Sequence, residues 1–196
     1  PELARRLVDV AAKARVDAVK FQKRQLTSLY PAETLQDPTR EEKEIGFVLP
    51  YLRSAELSEE VLGDLAVYAR SLGLEFLCTP WDTASVDFLE SIGVPAYKVS
   101  SADLTNLPLL EYLARTGKPL ILSTGMSKLS EIAVTVDFLK QRNAQFALLH
   151  CQSTYPAPFK DVNLRFMARL REFGVPVGYS GHERGIAVST AAVALG

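Results

Sequence analysis

Val94-Pro95-Ala96-Tyr97-Lys98-Val99-Ser100-Ser101-Ala102-Asp103 sets a lysine in a short β-prone run and follows it with two hydroxyls and a carboxylate. A buried strand should stay apolar, because moving an unpaired ammonium out of water is very costly. A lysine near the end of such a strand therefore points to an anion waiting there. The pattern recurs along the chain. Lys20 ends Asp17-Ala18-Val19, Thr79 ends Phe76-Leu77-Cys78, and Ser123 ends Leu120-Ile121-Leu122. Ser153 follows Leu148-Leu149-His150-Cys151, and His182 follows Val177-Gly178-Tyr179-Ser180. Polar groups at the carboxyl ends of successive strands describe one active-site face.

Between these runs lie helical patterns. Leu3, Leu7, Val8, Val10 and Ala11 give the opening segment, up to Arg15, an apolar helical face. Ser58-Glu59-Glu60 caps a helix with Leu62, Leu65, Ala66 and Ala69 on its apolar side. Further helices are expected over 83–92, 107–116, 128–142, 162–173 and 185–195, with Gly73, Gly93, Gly117 and Gly174 just past helix ends. Regular β-α alternation means a parallel sheet covered by helices. An open doubly wound sheet and a TIM (β/α)8 barrel both fit. The barrel fits the chemistry better, because its active groups come from many strand ends, whereas an open sheet gathers its ligand at one switch point. The expected fold is thus α/β, a TIM barrel that is incomplete over residues 1–196: about strands 2–7 with helices 1–7, one partial catalytic domain. A whole barrel typically needs ~250 residues. Pro1 in place of an initiator methionine, and a helix that stops at Gly196, read as a chain cut from something longer. Residues 23–57 break the rhythm with Pro31, Pro38, Pro50 and the charge run Arg40-Glu41-Glu42-Lys43-Glu44. They read as a lid or binding loop, or as a solvated excursion with one short helix near Arg40 to Val48.

Composition bounds the function. The chain of 196 residues is 47% hydrophobic and 23% charged, with a net charge of -1. That argues against a nucleic-acid or membrane-surface role, which needs a basic face. No apolar run approaches the roughly 20 residues of a membrane span. Cys78 and Cys151 sit in strand-like runs and read as small buried side chains, in keeping with a cytoplasmic location. Nucleotide-binding glycine loops, paired Cys-x-x-Cys and the Gly-x-Ser-x-Gly elbow are absent.

Side chains alternate faces along a strand, so Lys20 and Gln22 share a face, as do Cys151 and Ser153, and Ser180 and His182. Two ammonium groups, Lys20 and Lys98, converging with Thr79, Ser123, Ser153 and Ser180 would make a site for a small anion carrying carboxylate and phosphate. Lysines act there as point charges, and hydroxyls give directional hydrogen bonds. Singly, each hydroxyl reads as a satisfied strand-end group; it is the set that carries the function. His182 is a candidate metal ligand, although a lone histidine is more often structural. His150 is out of phase with Cys151 and Ser153, and is expected to face the helices. Asp103 is a candidate acid-base group or ligand. As a cap for the helix starting near Leu107 it is worse placed than Thr105 or Asn106.

Taken together, Ala18-Val19-Lys20-Phe21-Gln22, Phe76-Leu77-Cys78-Thr79-Pro80, Ala96-Tyr97-Lys98-Val99-Ser100-Ser101, Ile121-Leu122-Ser123-Thr124-Gly125-Met126, Leu149-His150-Cys151-Gln152-Ser153-Thr154-Tyr155-Pro156 and Gly178-Tyr179-Ser180-Gly181-His182-Glu183 resemble the sialic acid synthase family, the N-acetylneuraminate synthases and their relatives. The resemblance runs from about Ala14 to Gly196. It implies condensation of phosphoenolpyruvate with N-acetylmannosamine, its 6-phosphate or a related acylated hexosamine, using a divalent metal, Mn2+ or Mg2+. By that resemblance Lys20, Thr79 and Lys98 hold the donor's carboxylate, and Ser101, Ser123, Ser153 and Ser180 hold its phosphate. Gln22 and Tyr155 touch the sugar, His182 binds the metal, and Asp103 works beside the sugar aldehyde. Some members carry asparagine in place of Ser153. The family's first strand with its acidic residue, its last strand with a second metal histidine, and its C-terminal antifreeze-like domain have no counterpart here. In the family that domain reaches the partner's sugar in a homodimer. The isolated piece is therefore expected to be inactive.

Two other readings compete. A Schiff-base aldolase on the same barrel would use Lys98 or Lys20 as nucleophile and needs one lysine with a lowered pKa. A non-catalytic sugar-phosphate-binding barrel would bind ligand without metal.

Overall fold

The structure is a computed structural model and describes residues 1–37 and 43–196. It divides into two compact units, Pro1–Pro95 and Ala96–Gly196.

In the first unit, helix α1 (Glu2–Lys13) precedes strand β1 (Ala18–Lys23). Only part of the apolar stripe expected on α1 is buried. Ala4 and Val8 turn inward, while Leu3, Leu7 and Val10 stay exposed. The buried pair is one helical turn apart, and the width of contact with the neighbouring helix limits what else α1 can cover. After β1 come α2 (Leu26–Leu29), α3 (Ala32–Gln36) and α4 (Lys43–Ala55). The connection read as a loop with at most one short helix is thus mainly helical where it is described. Pro31 stands just ahead of α3, where a missing N–H costs nothing, and Pro50 sits inside α4. The expected helix start at Arg40 and most of the charge run lie outside the described residues.

Helix α5 (Glu59–Ser71) begins as expected: Ser58 Oγ accepts from the Val61 amide at 3.3 Å. Leu62, Leu65, Ala66 and Ala69 form its buried side. Strand β2 (Glu75–Pro80) pairs in parallel with β1, setting Gln22 beside Thr79 and Phe21 beside Cys78. Phe21 and Phe76 stack with centroids 5.6 Å apart. Helix α6 (Thr83–Ser91) is capped by Asp82, which accepts from the Ser85 amide at 2.7 Å.

The second unit is four parallel strands in chain order: β3 (Tyr97–Val99), β4 (Leu120–Ser123), β5 (Phe146–Cys151) and β6 (Val177–Ser180). They alternate with α7 (Leu107–Arg115), α8 (Leu129–Lys140), α9 (Phe166–Arg171) and α10 (Ala187–Ala194). Asn106 caps α7 by accepting from the Leu109 amide. Gly117, with φ +71, turns the chain out of α7 toward β4. Helix α9 is shorter than expected. Asn163, with φ +50, takes a left-handed conformation that an α-helix cannot include, and residues 159–161 form a separate 3₁₀ turn.

The two faces of this four-stranded sheet differ. Tyr97, Leu120, Leu122, Phe146, Leu148 and His150 share one face and are all buried. His150 lies against Phe166 of α9 at 5.6 Å, so that is the helix-covered face, and His150 faces the helices as expected. Each large apolar side chain there contributes about 1.5–3 kcal/mol. The other face carries Lys98, Ile121, Ser123, Ala147, Leu149, Cys151, Gly178 and Ser180. It is small, polar toward the carboxyl ends, and only half-buried over Ile121, Ala147 and Leu149. Apolar burial is thus concentrated on one face of this sheet. No helix among the described residues is long and apolar enough to cross a membrane.

Candidate active site

In the first unit, Lys20, Gln22 and Thr79 share one face of the β1–β2 pair, Gln22 and Thr79 in direct register. Thr79 is buried, while Lys20 and Gln22 remain exposed. Solvent reaches Lys20, yet its amine is partly desolvated. Desolvation pushes its pKa below the ordinary lysine value, against a smaller opposing pull from Cys78. Burial in turn pushes the Cys78 thiol up to about 12, so it stays protonated and inert at neutral pH. Among the described residues the Lys20 ammonium makes no hydrogen bond. Gln22 does: its Oε1 accepts from Arg24 Nη2 at 2.7 Å and from Trp81 Nε1 at 3.0 Å.

The second unit holds the remaining expected residues. Lys98 is buried, and its Nζ donates to Ser123 Oγ at 2.6 Å and to the Val99 carbonyl at 2.8 Å. Spacing alone could not show this link, since the partner sits on the next strand. Ser101 opens a 3₁₀ turn ending at Asp103, and its Oγ accepts from the Gly125 amide at 3.1 Å. Gly125 is tightly enclosed. A Cβ there would overlap Ser153 Oγ and lie 2.8 Å from Ser101 Oγ and 3.1 Å from the Cys151 carbonyl. Three serines, Ser101, Ser123 and Ser153, thus lie at the ends of β3, β4 and β5, two of them against this one glycine.

Asp103 is buried, and its carboxylate accepts from Ser100 Oγ at 2.9 Å and from Asn106 Nδ2 at 3.1 Å. Both oxygens are engaged, so the group is held in one orientation; it does not cap α7. Ser180 ends β6 in register with Cys151. His182 Nδ1 lies 2.8 Å from the Gln152 carbonyl. A carbonyl only accepts, so Nδ1 is the donor of this contact, and Nε2 is the ring nitrogen left for another partner. That is how a metal-binding imidazole is usually held. Tyr155 stacks on the ring at 4.0 Å and is otherwise exposed. Beyond His182, Glu183 accepts from Tyr179 Oη at 2.7 Å and from Ser189 Oγ at 3.2 Å. Burial alone would raise the Glu183 carboxyl, but these bonds and neighbouring backbone N–H groups hold it below the ordinary value. Burial, with the bond to Glu183, pushes the Tyr179 phenol well above its usual range.

Gly125, Arg24, Trp81 and the Gln152 carbonyl were not singled out from the sequence. Gly125 had a visible signal, a glycine two residues past a strand-end serine. Trp81 had a weaker one, a large aromatic two residues past Thr79. For a divalent metal, the described residues offer the open imidazole nitrogen of His182. They contain no group of three or more His, Cys, Asp or Glu able to hold an ion. The described residues therefore offer one candidate ligand, not a complete set.

Comparison with known proteins assigns the family. The family model described as NeuB family matches residues 7–196. An N,N'-diacetyllegionaminic acid synthase from Legionella pneumophila is 42% identical, over all of this chain and 57% of its own length. The human N-acetylneuraminate-9-phosphate synthase is 35% identical, over all of this chain and 55% of its length. A crystal structure of an N-acetylneuraminic acid synthetase from Leptospira borgpetersenii, in complex with citrate, superposes with a TM-score of 0.88 at 33% identity, covering all of this chain and 65% of that one. The chain spans little more than half the length of these curated relatives. With the match running through every strand described, the chain belongs to the NeuB family.

Proposed function

We propose that this chain is the catalytic-barrel part of a synthase that joins phosphoenolpyruvate to an acylated hexosamine, giving a sialic acid-type nonulosonate and inorganic phosphate. The observation that carries this reading is the family match over residues 7–196, with Lys98, Ser123 and Ser180 on the sheet face not covered by helices and His182 just past the end of β6. A helix-free polar face is what a barrel interior requires, and we take the whole protein to close as a TIM barrel.

In this reading Lys20, Lys98 and Thr79 hold the donor's carboxylate, and Ser101, Ser123, Ser153, Ser180 and the Gly125 amide line its phosphate. Carbon three of phosphoenolpyruvate attacks the aldehyde carbon of the open-chain sugar, forming the new C–C bond, and the aldehyde oxygen takes up a proton. Positive charge grows at carbon two, beside the fixed acceptors and hydroxyls of the site. Water adds there, the bond from carbon two to the phosphate oxygen breaks, and a keto acid remains. Asp103, fixed by Ser100 and Asn106, stands as the proton-handling group near the aldehyde. Prior placement and fixed charge supply most of the rate gain. His182 would hold a divalent metal through Nε2; such an ion, when bound, supplies Lewis acidity toward the aldehyde oxygen. Gln22 and Tyr155 take the sugar. A homodimer in the cytoplasm is part of the same proposal. The acyl group, and whether the sugar carries a 6-phosphate, differ among the relatives and are left to experiment.

The test is the full-length gene product assayed with phosphoenolpyruvate, Mn2+ or Mg2+ and a panel of acylated hexosamines. Phosphate release matched one-to-one by a nine-carbon keto acid is the expected result. No phosphate with any hexosamine overturns the reading. The lowered pKa of Lys20 is the one observation favouring a Schiff-base aldolase. A borohydride-trapped pyruvate adduct on Lys20 would decide for that alternative.

A further inference from the structure

Gln22 is the one expected sugar contact whose amide orientation can be fixed from chemistry alone. Its two polar neighbours, Arg24 Nη2 at 2.7 Å and the indole Nε1 of Trp81 at 3.0 Å, can only donate. The carboxamide end they touch must therefore be the oxygen, whichever way an amide might otherwise be placed. Both lone pairs of Oε1 are then used. The arrangement is braced: the Arg24 guanidinium lies 4.7 Å from the Trp81 ring centroid, and the Trp81 amide donates to the Lys23 carbonyl at 3.1 Å. Arg24 and Trp81 are themselves half-buried, while Gln22 is exposed. Beside them opens a depression lined by Phe21, Gln22, Arg24, Tyr51, Glu56 and Leu57.

We infer that Arg24 and Trp81 are positioning residues, which clamp the oxygen of Gln22 so that only its two N–H groups face the substrate. Gln22 then recognises acceptors, such as an N-acyl carbonyl or a hydroxyl lone pair, and repels an unacylated ammonium. This rests on the proposed function, because it assigns the hexosamine to Gln22.

The experiment uses the full-length gene product and three variants: Trp81→Phe, which keeps a ring under Arg24 and deletes only the indole N–H; Arg24→Met; and the double variant. Steady-state kinetics give KM separately for phosphoenolpyruvate and hexosamine. With one donor left, the hexosamine KM should rise about two- to threefold; with both gone, about tenfold, as the amide becomes free to turn over. The phosphoenolpyruvate KM should stay within about twofold. A double variant whose hexosamine KM matches wild type, or in which both KM values climb together, overturns the inference. If the double variant does not fold, as judged by its melting curve, the single variants decide by the same split. A wild-type protein that releases no phosphate would instead overturn the synthase reading itself, and this assignment with it.

Discussion

Lys98 and Lys20 look alike in the sequence, each a lysine near the end of a short β-run, yet the protein treats them oppositely. Lys98 is buried and tied to Ser123 Oγ and the Val99 carbonyl. Lys20 stands exposed, makes no hydrogen bond among the described residues, and has its charge disfavoured by desolvation. The contrast extends to the units around them. Strand ends in the second unit are already bonded to one another: Lys98 to Ser123, Ser101 to Gly125, His182 to Gln152. In the first unit Gln22 is held by Arg24 and Trp81, and Lys20 by nothing comparable. A preformed array can hold charge that develops during a reaction without reorganising. A loosely held ammonium is better suited to meeting an anion as it arrives.

The largest expected effect comes from removing the tied lysine. Lys98→Met in the full-length protein should lower kcat by about 10²–10³-fold, the usual loss of one preorganised donor in a site. Its melting temperature should hardly fall, because the variant also removes the desolvation cost of a buried charge. Phosphate-release kinetics beside a melting curve would check this. A large loss of stability with near-normal turnover would make Lys98 structural and erase the contrast with Lys20.

Next comes the enclosure of Gly125. Gly125→Ala drives a methyl into Ser153 Oγ and close to the Cys151 carbonyl. Overpacking of this kind should cost about 1–3 kcal/mol in urea denaturation. Adding Ser153→Gly removes the hydroxyl from the clash but leaves the carbonyl, so the pair should be less damaging than the sum of the two single changes. Strict additivity would mean that the loop shifts freely, and that the second unit is no more preformed than the first.

The order of elements was legible because each strand has a polar residue at or next to its carboxyl end and several helices carry their own punctuation. Ser58 before α5, Asn106 before α7 and glycines after helix ends set boundaries by local chemistry alone. Between residues 23 and 57 three prolines suggest a loop with at most one short helix near Arg40 to Val48; α4 bears out part of that helix and runs beyond it, whereas α2 and α3 were not legible. Pro31 in fact precedes a helix, where proline is tolerated, and Pro50 is carried inside one. The α1 stripe was overread because periodicity marks an apolar face without saying how much of it finds a partner; Leu3, Leu7 and Val10 stay exposed. In the site, residue types at strand ends could be read, but links between strands could not. The Lys98–Ser123 pair spans two strands, and the Gly125 enclosure needs atoms from the ends of β3 and β5.

A smaller effect tests the loop that carries His182. Tyr179→Phe deletes the hydroxyl that donates to Glu183 and should cost about 1 kcal/mol. The bond helps hold the Glu183 carboxyl below the ordinary value of 4.5, so its contribution is present above that pH and is lost as the pH falls through the folded-state value. The stability gap between wild type and variant should therefore narrow on acidification below about 4.5. A gap independent of pH would assign the effect to packing of the ring.

The smallest effect returns to Lys20, and its sign differs from that of a paired lysine. Its folded-state pKa lies below the unfolded value of 10.5, so the unfolded chain holds the proton more tightly. At neutral pH both states are charged, and the folded one bears the full desolvation penalty. As the pH climbs from the folded value toward 10.5 the penalty is relieved, and Lys20 becomes less destabilising. Because the side chain is exposed, solvent screening should hold this to a fraction of a kcal/mol. Lys20→Met should therefore stabilise the protein slightly near pH 7, an advantage that shrinks at alkaline pH, while the phosphoenolpyruvate KM rises about tenfold from the lost charge–carboxylate contact. Paired melting curves at the two pH values, with the KM measured alongside, separate the two roles. A variant that is less stable than wild type at pH 7 would mean that Lys20 makes folded-state contacts outweighing its desolvation, and that it is not the loosely held ammonium of this contrast.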